Sequence, residues 1–212
     1  MLIRQAVSDD RDTLYDICVR TADSGGDARP LYRNHELLGA LWVGPYLALS
    51  PELAFVAEDD AGVVGYVVGA EDTWEFEEAC ERDWWPALRA RYPDPSADAE
   101  LTVDEALMRR IHHPQPTPAA VVEQFPAHLH IDILPRGQGH GVGRRLIATL
   151  FEALRGRGVT GVHLGVGPTN TRAIGFYRHL GFRAAEPARD ASAGGWLGID
   201  LADGRIAADC AR

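Results

Sequence analysis

Cysteine is scarce in this sequence. The three that occur, Cys18, Cys80 and Cys210, stand far apart and form no CxxC. An odd, unclustered set gives no disulfide framework and no zinc-type spacing, so a reducing cytoplasm is the expected compartment. Positive charge is also short: 21 Lys and Arg face 31 Asp and Glu, for a net charge of −10. A nucleic-acid binder usually carries a basic face, so the balance argues against that partner. Long apolar runs are missing as well. The opening residues, MLIRQAVSDD, have no apolar signal core. One uncharged stretch, residues 37–51, is interrupted by Pro45 and Pro51. It is shorter than the roughly 20 residues that span a bilayer, so it reads as buried core and no membrane role is expected. What remains is 46% hydrophobic and 25% charged, the composition of an ordinary globular chain.

Regular elements can be read along most of the chain. Residues 2–7 suggest a short strand. A helix follows, with Ser8 and Asp9 as cap candidates and Leu14, Ile17 and Cys18 on one face. Gly25 and Gly26 break it, and residues 34–42 suggest a second short helix. Two β-rich runs, 53–57 and 63–70, flank the turn DDAG and predict a hairpin. Residues 71–127 differ in character. They hold Trp74, Trp84, Trp85 and five prolines from Pro93 to Pro118, and read as helices over 73–92 and 102–111 joined by Pro-rich loops. This stretch separates two regular β-containing halves and is taken as an insertion within one domain spanning 1–212.

Regularity returns at AHLHIDILP. Leu129, Ile131 and Ile133 alternate with His128, His130 and Asp132, the period of a strand with one apolar and one polar face. A glycine run, GQGHGVG, comes next. Val142, Leu146, Ile147, Leu150, Phe151 and Leu154 then repeat at helical spacing up to Gly156 and Gly158. VTGVHLGVG predicts another strand. A short helix begins at Thr169 or Asn170 and stops at Gly181, and GWLGIDL predicts the last strand.

Strand, glycine run and helix in that order form the general device for holding a phosphate. The first helical turn has unpaired N–H groups and a partial positive charge. Glycine lets the backbone approach a ligand closely. Gly139, Gly141 and Gly143 would let the amides from Gly139 to Arg144 face a pyrophosphate, with Arg144 and Arg145 adding charge. Three motifs compete. A P-loop needs Gly-Lys-Ser/Thr, but Arg144 and Arg145 follow Gly143. GxGxxG needs a glycine where Arg144 stands. The pattern Gln/Arg-x-x-Gly-x-Gly/Ala is met by Gln138, Gly141 and Gly143.

With PRGQGHGVGRRLI at 135–147 and NTRAIGFYRHLGF at 170–182, the chain resembles the GNAT superfamily of acyl-CoA-dependent N-acetyltransferases. SGGDA, PYLALSPELAFVAEDDAGVVGYVVGAED, IHHP and FPAHLHIDILP are similar to the acetyltransferase-like C-terminal domain of O-GlcNAcases and its free-standing bacterial relatives. The resemblance implies an α/β (α+β) fold. Its features are a twisted mixed sheet of about six or seven strands, helices on both faces and a helical insertion between the third and fourth strands. It implies acetyl-CoA as co-substrate. The backbones of Ile131, Asp132 and Ile133 would hold the pantetheine arm. Gln138, Gly139, His140, Gly141, Val142, Gly143 and Arg144 would hold the pyrophosphate. Asn170 would meet the cofactor, and Tyr177 would protonate the leaving thiolate.

A base for the amine is less directly read. His128, His130 and Asp132 share the polar face of their strand, and a carboxylate beside a histidine can orient it and raise its pKa. The same face, with His112 and His113, also has metal-ligand chemistry, but the implied reaction needs no metal. Trp74, Phe76, Trp84, Trp85 and Tyr92 are candidates to wall an acceptor tunnel. Glu71 and Asp72 are candidates to meet a cationic substrate. The expected activity is transfer of an acetyl group to a primary amine, on a small molecule or a peptide lysine, by direct attack in a ternary complex. The alternative is an acetyl-CoA-binding module without catalysis. The acceptor and the oligomeric state are not written in the residues.

Overall fold

The computed structural model describes residues 1–96, 100–185 and 195–203. Cys210 lies outside them. The first strand, β1 (Leu2–Gln5), leads through a short 3-10 turn into α1 (Arg11–Val19). The cap differs from expectation. It is Asp10, not Ser8 or Asp9, that accepts the Val7 N–H at 2.8 Å. The same carboxylate takes both terminal nitrogens of Arg4 at 2.6 and 2.8 Å. Two short helices follow, α2 (Glu36–Trp42) and α3 (Gly44–Leu49). The second occupies the uncharged stretch, with Pro45 in its first turn, where a missing N–H costs nothing.

The hairpin forms as read. β2 (Ala54–Asp59) and β3 (Gly62–Ala70) pair antiparallel, and Gly62 takes φ +101° to close the turn. The insertion then contributes α4 (Thr73–Ala79), α5 (Trp85–Arg91), α6 (Val103–His112) and α7 (Ala119–Gln124). The single helix expected over 73–92 is split by a π-helical turn at Cys80–Trp84. Pro86 has no N–H to continue the i→i−4 ladder, and the indole of Trp84 is turned to give its N–H to the Ala40 carbonyl at 3.0 Å. At the base of the insertion, Thr73 donates both its N–H and its hydroxyl to the Pro126 carbonyl, at 2.9 and 2.7 Å.

Then come β4 (Ala127–Ile133), α8 (Val142–Arg155), β5 (Gly161–Val166), α9 (Thr171–His179), β6 (Arg183–Ala184) and β7 (Gly195–Asp200). The seven strands form one sheet in the order β1-β2-β3-β4-β5-β7-β6. β4 and β5 run parallel, and the other neighbours antiparallel. Helices cover both faces. On one, Leu146, Ile147, Leu150 and Phe151 of α8 meet Leu129 and Val162 of the sheet, with α9 beside them. On the other, Leu14 and Ile17 of α1 share a core with Phe76, Trp85, Leu107 and Ile111 of the insertion. The insertion is therefore packed into the same core as α1. Among the described residues no helix is long and apolar enough to cross a membrane.

Close helix contact sets one sharp requirement. A Cβ on Gly39 of α2 would sit 2.2 Å from the Tyr15 ring of α1. Gly39→Ala should cost about 1–3 kcal/mol by overpacking. Gly175→Ala, in open space on α9, should stabilise by roughly 0.5–1 kcal/mol. Thermal denaturation of the two variants checks the pair. Equal melting temperatures would remove Gly39 as the point that fixes the α1–α2 distance.

Candidate active site

The glycine run builds the turn between β4 and α8. Gly139 and Gly141 take φ +81° and +71°, and a Cβ on either would point into open space. Gly141 is the N-cap of α8. The N–H groups of Val142 and Gly143 thus belong to the first turn of a long helix, the end that suits an anion. Gly143 has a different task from the one read in the sequence. A Cβ there would lie 3.0 Å from both the Ile133 side chain and the Phe176 ring. It allows α8 to pack on β4 and α9, rather than clearing space for a ligand.

Gln138 is also more of a brace than a ligand contact. Its amide nitrogen donates to the Ile133 carbonyl at 2.7 Å, and its oxygen accepts from Arg172. Arg172 was not picked out in the sequence, because its motif position carries no fixed residue type. It brings positive charge to the amide end from the first turn of α9. Arg145, expected to supply charge, instead reaches the Met1 carbonyl at 3.3 Å. His140 is exposed and Arg144 half-buried. Asn170 caps α9, its side chain accepting the Ala173 N–H at 3.1 Å.

Beside this turn the sheet opens. β4 and β5 register at only two pairs, Ala127↔Val162 and His128↔His163. Beyond them β5 stays paired with β7 along its whole length, while β4 stays with β3 as far as Ile133. The β5-facing edge of the segment expected to hold the pantetheine is thereby left outside the ladder at Ile131 and Ile133, with the Ile133 carbonyl taken by Gln138, while Asp132, in register with Tyr66, turns its backbone groups to β3. Tyr177 of α9 is buried on this side. Burial, and then the nearby Asp132 charge, raise its pKa, so the phenol stays protonated.

The polar face of β4 looks toward α1. Asp132 Oδ2 accepts from the Tyr66 hydroxyl at 2.5 Å and pairs with His130 Nε2 at 3.0 Å. Burial opposes the carboxylate charge. The His130 ring and hydrogen bonds from His130, Tyr66 and Thr21 outweigh it and keep the carboxyl below its ordinary range. An ionised Asp132 calls for a proton on His130 Nε2, which leaves Nδ1 of the neutral ring with a lone pair. Cys18 of α1 stands behind the pair, and its thiol pKa is pushed up by burial and by the Asp132 charge. The donor atoms of Cys18, His130 and Asp132 lie within 4.8 Å of one another. The hydrogen bonds to Asp132 account for that grouping. The sequence placed Cys18 only on the apolar face of the first helix and did not pick out Tyr66, since only the pairing of β3 with β4 and the packing of α1 bring them here.

His128 sits apart from this pair. Its Nδ1 is 2.8 Å from the Thr73 hydroxyl. Thr73 gives its own proton to Pro126, so Nδ1–H of His128 donates to it and Nε2 is left as the acceptor. Burial first, then His163 and His130, lower the His128 pKa to about 3.

His128 and His130 open onto a cavity of about 1150 Å³ between the insertion and the β4–β5 opening. Trp74, Phe76 and Trp85 line it, as expected of the insertion's aromatics. Trp84 does not, being turned to Ala40, and Tyr92 is buried beside Asn34 and His112. Glu71 and Asp72 are committed elsewhere: Glu71 pairs with Arg157 at 3.3 Å, and Asp72 caps α4. His112 bonds the Tyr92 carbonyl and His113 pairs with Asp94, so neither joins the β4 histidines.

A family model described as Acetyltransferase (GNAT) family matches residues 26–182. The protein O-GlcNAcases of Rattus norvegicus and Mus musculus are each 31% identical over 180 residues, which is 84% of this chain and 20% of theirs. The chain thus spans about a fifth of the length of these curated relatives. The crystal structure of SsHAT superposes with a TM-score of 0.85 at 41% identity, covering 94% of this chain and 98% of that one. The structure of yncA from Salmonella typhimurium, with its cofactor acetyl-CoA, shares the fold at a TM-score of 0.53 and 16% identity, over 95% and 94% of the two chains.

The half-buried His128 makes a pH prediction. Its folded pKa is about 3 against an ordinary 6.5. Between those values the unfolded chain binds a proton that the folded chain refuses, so stability rises with pH across the window. The contribution is complete above pH 6.5 and shrinks as pH falls toward 3. Urea midpoints from pH 7 to 4 should fall less steeply for His128→Asn than for the wild type. Identical slopes would mean that His128 is protonated in the folded protein.

Proposed function

The chain belongs to the acetyltransferase (GNAT) family and is an acyltransferase, and from that premise we propose that it moves an acetyl group from acetyl-CoA to a primary amine by direct attack in a ternary complex. One observation carries the reading. The β4–β5 opening runs from the amide end of α8, beside Ile133, to the cavity where His128 and His130 stand. An acyl-CoA threaded there would place its pyrophosphate on the amides of Val142 and Gly143, with Gly139 and Gly141 giving clearance. Arg172 would add charge. The pantetheine would run along the β5-facing edge of Ile131–Ile133 and bond Ile131 and the Ile133 N–H, the Ile133 carbonyl being held by Gln138, and the thioester would meet the histidines.

In the proposed step His130 is the base. Asp132 holds its Nε2–H, and Nδ1 takes a proton from the incoming ammonium. His128 has an open Nε2, but its low basicity makes it a poorer acceptor. The freed amine nitrogen forms a bond to the thioester carbon. The C–S bond then breaks and the electron pair leaves on sulfur. Tyr177, kept protonated by burial, donates a hydrogen bond to that thiolate. Two protons leave the nitrogen in all: the one taken by His130 passes to solvent, the one lost after addition ends on the thiol, and the products are the acetamide, CoA and a proton. The chain has no lysine, so its side chains offer no amine of their own.

Calorimetry with acetyl-CoA tests the loop assignment. Gly141→Glu places bulk and negative charge at the amide end and should weaken binding at least tenfold; the like charge and lost clearance set that scale. Unaltered affinity would count against the assignment. Turnover, followed as thiol release over a panel of amines, tests the chemistry. His130→Gln should lower kcat by about 10²–10⁴-fold with little change in acetyl-CoA affinity. Tyr177→Phe should likewise slow turnover more than it weakens binding. Tight acetyl-CoA binding with no thiol release from any amine would instead favour a cofactor-binding module without catalysis.

A further inference from the structure

The cavity beyond the proposed thioester position has a definite chemistry. A row of rings runs along it. Tyr46 stacks on Phe76 at 4.6 Å, and Phe76 meets His128 edge-on at 5.1 Å. His128 lies 5.7 Å from His163, which meets Trp196 at 5.6 Å. Trp74, also on the wall, keeps 45% of its surface exposed, unusual for the largest aromatic side chain. The row therefore offers ring faces and edges from α3 and α4 across β4 and β5 to β7.

Charge on the same wall is nearly balanced. Three carboxylates, Glu77, Glu78 and Glu81, face two guanidiniums, Arg82 and Arg110. Glu81 is held by both terminal nitrogens of Arg89, and Arg82 by Asp83. Glu77 turns one oxygen to the N–H and hydroxyl of Thr117 at 2.9 and 2.8 Å. Arg110 stacks over Trp42. Among the described residues, a polycationic acceptor would find few carboxylate oxygens here that are not already bonded, those of Glu78 and one of Glu77, and shedding water from its remaining charges is costly. A single ammonium is different. Ring faces attract it on the way in.

We propose that the acceptor is an arylalkyl monoamine, its ring lying along the Tyr46–Phe76–His128 row against Trp74 and its amine reaching His130. The proposal rests on the acyl-transfer reading. It separates this acceptor from polyamines, aminoglycosides and lysine-rich peptides, which present several cations at once.

Thiol release from acetyl-CoA would be measured with phenethylamine, tryptamine, n-butylamine, spermidine, kanamycin and a lysine-rich peptide. The two arylalkylamines should exceed the others in kcat/KM by about fivefold to tenfold, the worth of one ring-on-ring contact. Trp74→Ala should raise KM for phenethylamine by a similar factor and leave the acetyl-CoA Kd unmoved, while Trp74→Phe restores most of the loss. Preference for spermidine, kanamycin or the peptide would overturn the proposal, as would equal rates for phenethylamine and n-butylamine. A second readout does not depend on turnover. Phenethylamine should quench tryptophan fluorescence of the CoA-saturated protein, and n-butylamine should not. If acetyl-CoA binds but no quenching by phenethylamine occurs, the acceptor class is wrong and the cofactor reading stands. If acetyl-CoA fails to bind, it is the acyl-transfer reading that falls. Phenethylamine quenching of the free protein, lost in Trp74→Ala, would then still support an arylamine site.

Discussion

Everything around the candidate site depends on where β4 and β5 stop bonding to each other. A parallel pair normally continues its ladder for the length of the shorter strand. Here it ends after Ala127↔Val162 and His128↔His163. Each strand is then held by a different neighbour, β4 by β3 and β5 by β7. Backbone groups that a sheet would satisfy are left facing a gap. That gap is bounded at one end by the amides of α8 and opens at the other onto two histidines. The fold thus places an unfilled hydrogen-bonding edge between an anion-binding end and titratable side chains.

The second constraint is the treatment of Asp132. A carboxylate largely removed from water is costly unless it is paired and hydrogen-bonded. Asp132 is, by Tyr66 and His130 through the same oxygen, with Thr21 contributing. This arrangement fixes which nitrogen of His130 carries the proton. Its neighbour two residues away is governed differently. His128 is surrounded by rings and held by a neutral hydroxyl, and burial keeps it uncharged. Two histidines on one face of one strand are therefore held by different partners, His130 by a carboxylate and His128 by a hydroxyl.

Much of this was legible in local pattern. The alternation of Leu129, Ile131 and Ile133 with His128, His130 and Asp132 gave the strand and its polar face. The spacing of Val142, Leu146 and Leu150 gave the helix that follows the glycine run. Residues joined across the fold were not legible. Tyr66 and Cys18 meet Asp132 because β3 pairs with β4 and α1 lies over both, and no motif records that meeting. Arg172 reaches Gln138 from 34 residues away. Gly143 looked like its neighbours in the run, yet its reason is the nearness of Phe176 and Ile133. The π-helical turn at Cys80–Trp84 depends on a distant carbonyl at Ala40, and helical periodicity alone reads through it.

The hydrogen bonds from Thr73 to Pro126 have a further meaning for the chain's architecture. They tie the first helical residue of the insertion to the last residue before β4, 53 positions on. The excursion is cinched at its neck, so its far parts can be lengthened, shortened or exchanged while β3 and β4 keep their register. The clasp is the same hydroxyl that orients His128. A module fastened this way is interchangeable in its walls but not in its fastening: the helices can change while the tautomer of His128 is inherited from the knot.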